Sequence, residues 1–168
     1  FQILTAARTG EAMGTTWAEI DLDNAVWAIP AERMKADKEH RVPLSEKAIH
    51  ILRKMKETAV SEFVFPGAQS NKPLSNMAFL QLLKRMSRGD LTAHGFRSTF
   101  RDWAAERANY PNEVAEMALA HAVGDKVEAA YRRGDLFDKR RRMMDAWADY
   151  CSMAHDVDDK IVPIKGAS

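Results

Sequence analysis

Apolar positions in this chain fall mostly at helical spacing, with a strand-like interlude near the start. Phe1 to Ala7 is an apolar, helix-like run, and Thr9-Gly10 before Glu11 reads as a turn into a short helix carrying Trp17. Asp21 to Asn24 is a turn. Ala25 to Ile29 is strand-like and stops at Pro30, and His40 to Leu44 is a second such run. The polar stretch Arg33 to Glu39 between them forms a long, mobile hairpin connection. Ser45 suits the N-cap of a helix to about Thr58, with Ile49, Leu52 and Met55 on one face. Glu62 to Phe65 is a short strand closed by Pro66-Gly67, and Ala68 to Pro73 is a loop. Ser75 caps a helix whose stripe is Leu80, Leu83 and Met86. His94 to Arg107 places Phe96, Phe100 and Trp103 on one helical face. Pro111 starts the next helix, through Val114, Met117 and Ala118 to near His121. Val127 to Tyr131 is a short helical stretch. Asp135 opens a long helix with Met143, Met144, Trp147 and Tyr150 inward, and the last dozen residues form a loose tail. The expected class is α+β and mainly helical, with a small antiparallel sheet near the N-terminus.

Composition narrows this picture. The chain has 168 residues, 46% of them hydrophobic and 29% charged, enough for one domain with a real core. No apolar run approaches the roughly 20 residues that span a bilayer. One cysteine, Cys151, leaves neither a disulfide framework nor a cysteine zinc site and points to a reducing, cytoplasmic setting. Phe1 opens the chain without a methionine, inside an apolar run, as expected of a fragment of a longer protein. Net charge is +1, but residues 82–142 hold 13 Lys or Arg against 9 Asp or Glu, and residues 143–168 hold 2 against 5. The basic run Lys139 to Arg142 ends the positive region. Such a patch suits a phosphate-bearing partner, although a solvated helix face is its commoner meaning.

Each candidate for chemistry has an ordinary explanation when taken alone. Arg8, beside a Thr-Gly turn, could be an exposed helix-end arginine, and Lys35 a solvated loop lysine. His94 and Arg97 are three apart on a helix and point the same way, as a surface pair also would. His121 could satisfy the last carbonyls of its helix. Tyr131, after two alanines, fits a core position.

In order, however, these residues form five boxes. The first is Thr5-Ala6-Ala7-Arg8-Thr9-Gly10-Glu11 with Trp17-Ala18-Glu19-Ile20-Asp21 after it. The second is Met34-Lys35 followed by His40-Arg41-Val42-Pro43-Leu44. Then come His94-Gly95-Phe96-Arg97, Leu119-Ala120-His121 and Ala130-Tyr131-Arg132-Arg133. Together they resemble the C-terminal catalytic domain of the tyrosine recombinases, or phage integrases, from about Thr5 to Tyr150. The stretch from Tyr131 to Tyr150 is most similar to integrases of prophages and genomic islands. Two positions depart from the family's wording: Ala6 and Ala120 stand where glycines are usual. Both are small, and neither is expected to disturb the site.

The resemblance implies site-specific DNA integration and excision through a covalent 3′-phosphotyrosyl intermediate. Tyr131 would be the nucleophile, storing the phosphodiester energy as an ester. Arg8 and Arg97 would hold the phosphate oxygens, because a guanidinium fork grips two at once and stays charged. Lys35 would be the general acid for the departing 5′ oxygen, and His94 and His121 would add hydrogen bonds and proton transfer. Glu11 would orient a neighbour, and Arg132 and Arg133 would join Arg8, Lys35 and Arg97 on DNA. All five cationic site residues from Arg8 to His121 should share one face, with Lys35 displaced when DNA is absent. No cofactor or metal is implied, since the carboxylates are scattered without ligand spacing. The implied partners are double-stranded attachment-site DNA, a homotetramer on DNA for the full-length protein with this fragment monomeric, and an accessory bending protein or excisionase. No membrane partner is implied. The expected domain covers residues 1–155, with a tail at 156–168 that could dock on a neighbouring subunit and with N-terminal DNA-binding domains missing. The alternatives are type IB topoisomerase-like relaxation, which uses a similar residue set, and an inert DNA-binding domain of the same fold.

Overall fold

The alternation in the two β-rich runs builds a three-stranded antiparallel sheet of β1 (Ile20–Asp21), β2 (Val26–Ile29) and β3 (His40–Pro43), in that order. The computed structural model describes residues 1–69, 71–75, 77–121 and 134–153. Trp27 pairs with Val42 and Ile29 with His40, so the inward residues of β2, Trp27 and Ile29, are wholly buried. The expected turn at Asp21 follows directly on β1. Asp21 Oδ1 accepts from the backbone N–H groups of Asp23 at 3.1 Å and Asn24 at 2.9 Å, an Asx turn. A strand of two residues is too short for alternation to reveal, which is why the sequence pattern missed β1.

Around the sheet lie α1 (Gln2–Thr5), α2 (Thr9–Met13), α3 (Glu46–Glu57), α4 (Ala78–Arg85), α5 (Gly95–Glu106), α6 (Asn112–Ala118) and α7 (Phe137–Tyr150). The expected mainly helical α+β architecture is the one observed. Ser45 caps α3 as expected, its Oγ accepting from the Ala48 N–H at 3.4 Å. Trp17 falls in a separate 3₁₀ turn, Trp17–Glu19, and not in α2.

Four expectations need correction. Glu62 to Phe65 is not a strand: Phe63 makes only an isolated antiparallel bridge to Thr16. The β2–β3 connection is anchored at its base and is not a free polar hairpin. It begins with a 3₁₀ turn (Ala31–Arg33), and Met34 is buried. Arg33 ion-pairs with Glu19 and donates to the Glu11 carbonyl at 2.7 Å. The α4 stripe is not core either: Leu83 is buried, but Leu80 is 38% and Met86 61% exposed. Its N-cap is Met77, so Ser75 does not cap it. Finally, the basic run at the start of α7 is not wholly a solvated face. Arg140 is 1% exposed and donates to the Arg41 carbonyl at 2.5 Å, to the Asp135 carbonyl at 2.7 Å and to Asp135 Oδ2 at 2.6 Å. A buried guanidinium holds its place only when its donors are met this way.

The buried side chains form two clusters. One packs the sheet against α3, with Ala7, Trp27, Ile29, Val42, Ile49 and Leu52. The other joins α5, α6 and α7 through Phe100, Trp103, Val114, Leu119, Met143 and Trp147, with Ala6 among them. Trp147 sits edge-on to Phe100 at 5.4 Å and stacks on Tyr150 at 5.7 Å, so Tyr150 packs on the core as its position on the stripe implied. Ala6 belongs to one cluster and Ala7 to the other. Leu119 and Ala120 divide the same way, so both segments run along the seam between the cores.

Candidate functional site

Two backbone reversals create the site. The chain reverses just after α1 at Ala6, with φ of 49°, and just after α6 at Ala120, with φ of 48°. At the second, the N–H groups of Ala120 and His121 return to the carbonyls of Met117 (3.1 Å) and Glu116 (2.9 Å), the Schellman pattern that usually ends on glycine. The two alanines that replace the family's usual glycines therefore both occupy the left-handed region. There a Cβ is strained, so the departure is not conformationally neutral.

From the first reversal the chain presents Arg8 at the N-cap of α2. Its backbone N–H donates to Glu11 Oε2 at 2.9 Å, and its Nη1 to Glu11 Oε1 at 2.7 Å. Glu11 is buried, and its carboxylate holds both the backbone and the side chain of Arg8. Arg8 Nη2 then reaches the Ala120 carbonyl at 3.4 Å. Arg97 answers from α5. It is 6% exposed, and its Nη1 donates to the Ala6 carbonyl at 2.7 Å. Its Nη2 donates to the Leu119 carbonyl and lies 3.1 Å from His121 Nε2. Burial, then the like charge of Arg8, lower the Arg97 pKa to about 10, with Glu11 and Glu116 acting the other way. Two guanidinium groups close enough to oppose each other's charge make a ready place for an anion.

His121 is exposed at the seam, and its Nδ1 lies 2.8 Å from Glu116 Oε2. Burial works against the Glu116 carboxylate, but bonds from His121 and Arg101 outweigh it and lower its pKa. Arg101 Nε reaches Glu116 Oε1 at 2.6 Å, and Arg101 Nη2 reaches Asn112 Oδ1 at 2.5 Å. Gln2 ties α1 to the start of α5, donating to the Ala93 carbonyl at 3.3 Å and to Thr9 Oγ1 at 3.2 Å.

The structure thus brings Arg8, Glu11, Arg97 and His121 together. His94 is exposed one turn before Arg97, at the N-cap of α5. Lys35 is exposed in the β2–β3 connection. No hydrogen bond or ion pair among the described residues joins either to the cluster. Tyr131, Arg132 and Arg133 lie outside the described residues, as do the expected helix at 127–131 and the tail. Sequence reasoning missed Glu116, Arg101 and His40. Arg101 lies four residues after Arg97 on α5, and that spacing was the available signal. His40 is tucked between the sheet and α6. Burial first, then Arg140 and Arg97, lower its pKa to about 4, while Glu11 and a bond to the Ala118 carbonyl oppose the shift. Among the described residues no three His, Cys, Asp or Glu side chains cluster as metal ligands, and no helix is long and apolar enough to cross a membrane.

A model of the phage integrase family matches residues 1–136. The prophage integrase IntA of Escherichia coli (strain K12) is 40% identical over 157 residues, 92% of this chain and 38% of IntA. The prophage integrase IntZ of the same strain is 39% identical over 88% of this chain and 37% of its own. The integrase of Shigella phage Sf6 is 37% identical over 87% of this chain and 39% of its own. The chain therefore spans under two fifths of the length of these relatives. Among solved structures, the Tn1549 transposon integrase in complex with circular intermediate DNA is similar at a TM-score of 0.47 and 15% identity, over 77% of this chain and 56% of that one.

Proposed function

The chain belongs to the phage integrase family, and from that premise we propose that it is the part of a site-specific DNA recombinase that cuts and rejoins strands through a 3′-phosphotyrosyl intermediate. The observation that carries this reading is the pair Arg8 and Arg97. They stand on the two sides of the seam, each bonded to a backbone carbonyl of the segments that run along it, and together they concentrate positive charge at one spot. Phosphoryl transfer gathers negative charge on the non-bridging oxygens, and fixed positive donors lower its barrier most when they need not reorganise. The bonds to Glu11, Ala6, Leu119 and Ala120 supply that rigidity.

Tyr131 attacks the phosphorus as its hydroxyl proton passes to His94, and the 5′ oxygen of the broken strand leaves with a proton from Lys35. Exposure of Lys35 on an anchored connection suits a group that reaches the leaving oxygen only when DNA lies across the site. His94 and His121 supply the remaining hydrogen bonds, and Arg132 and Arg133 bind the backbone beside the nucleophile. Rejoining is the reverse attack by a 5′ hydroxyl. The full-length protein acts on attachment-site DNA as a tetramer, with an accessory bending protein or excisionase setting direction. Residues 1–155 form the catalytic domain.

The test uses full-length protein and a nicked suicide DNA that traps the covalent adduct. Tyr131→Phe should bind this DNA normally and yield no adduct, because only the attacking oxygen is removed. An adduct that persists in Tyr131→Phe but vanishes in Tyr150→Phe would move the nucleophile to Tyr150.

A further inference from the structure

His121 is held from two sides. Glu116 Oε2 lies 2.8 Å from its Nδ1, and Arg97 Nη2 lies 3.1 Å from its Nε2. A carboxylate only accepts hydrogen bonds and a guanidinium only donates them. One form of the ring satisfies both neighbours: the neutral imidazole with its proton on Nδ1 and its lone pair on Nε2. Glu116 is itself fixed, its other oxygen bonded to Arg101 Nε at 2.6 Å and its carbonyl to the His121 N–H at 2.9 Å. Arg101, Glu116, His121 and Arg97 therefore form one hydrogen-bonded chain.

We propose that Glu116, steadied by Arg101, is a positioning residue that fixes His121 in the Nδ1–H tautomer, so that its Nε2 lone pair accepts from Arg97 Nη2 and the ring holds that guanidinium in place. This rests on the reading of the site given above. Arg8 and Arg97 already supply donors for phosphate oxygens. A guanidinium held by the ring keeps its remaining donors aimed at them without reorganising. Glu116 touches neither DNA nor the nucleophile in this scheme; it acts through the ring, as a carboxylate orients an imidazole in other catalytic pairs.

The arrangement makes Glu116→Gln a sharp probe. Arg101 donates to one carboxylate oxygen, so the amide of the variant places its single oxygen there and its NH₂ against Nδ1. Nδ1 must then accept, and the ring proton moves to Nε2. In full-length protein with ¹⁵N-labelled histidine, His121 (assigned by loss of its signal in His121→Gln) should show the Nδ1–H pattern at neutral pH and the Nε2–H pattern in Glu116→Gln. Adduct formation on the suicide DNA under single turnover should slow about tenfold or more, with DNA affinity and melting temperature unreduced. Wild-type protein showing Nε2–H would overturn the proposal whether or not the variant folds. So would a Glu116→Gln protein with the wild-type tautomer and rate. His121→Ala separates the two readings. If it cleaves at the wild-type rate, the site assignment itself fails. If it is inactive while Glu116→Gln is unaffected, only the role of Glu116 fails.

Discussion

Arg97 points its terminal nitrogens at the carbonyls of Ala6 and Leu119, so its side chain is a brace, and in the proposed function it is also a binding group. That double duty explains why boxes built around Arg8, Glu11, Arg97 and His121 were legible in the sequence while Glu116, Arg101 and Arg140 were not. The former sit in ordered motifs; the latter are of types that usually face water, and only tertiary contacts turn them inward. Arg140 is the sharpest case, hidden in a run of four basic residues with nothing local to mark it as buried. His40 is another, and its burial carries a measurable consequence. Unfolded, it takes a proton near pH 6.5; folded, only near pH 4. Between those values the unfolded state binds the extra proton, so stability is complete above pH 6.5 and falls on acidification, by at most about 1.4 kcal/mol per pH unit. Urea titrations from pH 7 to pH 5 should show this slope, and His40→Gln should flatten it. An identical slope in the variant would assign the acid sensitivity to other groups.

Among the elements, α3 and α7 were readable because capping and stripe agree with the burial they acquire, Ser45 starting one and Met143 to Trp147 lining the other. The α4 stripe misled, because periodicity tells which residues share a face but not whether anything covers it. The reversals at Ala6 and Ala120 escaped for a different reason: a positive φ on alanine has no sequence signature. Each left-handed alanine costs roughly 1–2 kcal/mol. Glycine relieves that strain but loses more entropy on folding, by roughly 0.5–1 kcal/mol. Ala6→Gly and Ala120→Gly should therefore each stabilise the protein by about 0.5 kcal/mol, seen as a higher urea midpoint with an unchanged slope. A loss of about 1 kcal/mol in either would mean that the methyl group's packing outweighs the strain.

Across the whole molecule, two cores meet along one seam, and the candidate site lies where they meet. An anion held by both Arg8 and Arg97 binds only when the cores are docked, so it stabilises the docked state. At ten times its dissociation constant it should add about 1.4 kcal/mol. Sulfate titrated against chloride at matched ionic strength should raise the melting temperature of wild-type protein more than that of Arg97→Gln; equal shifts would place the effect elsewhere. With Arg8 on the sheet-side core and Arg97 on the helical one, the site is also a latch between them. Local opening of either half separates the two guanidinium groups before either core melts. If the chain cleaves strands as proposed, that activity should cease on warming below the temperature at which helix signal is lost, and DNA lying across both guanidinium groups should raise that lower temperature.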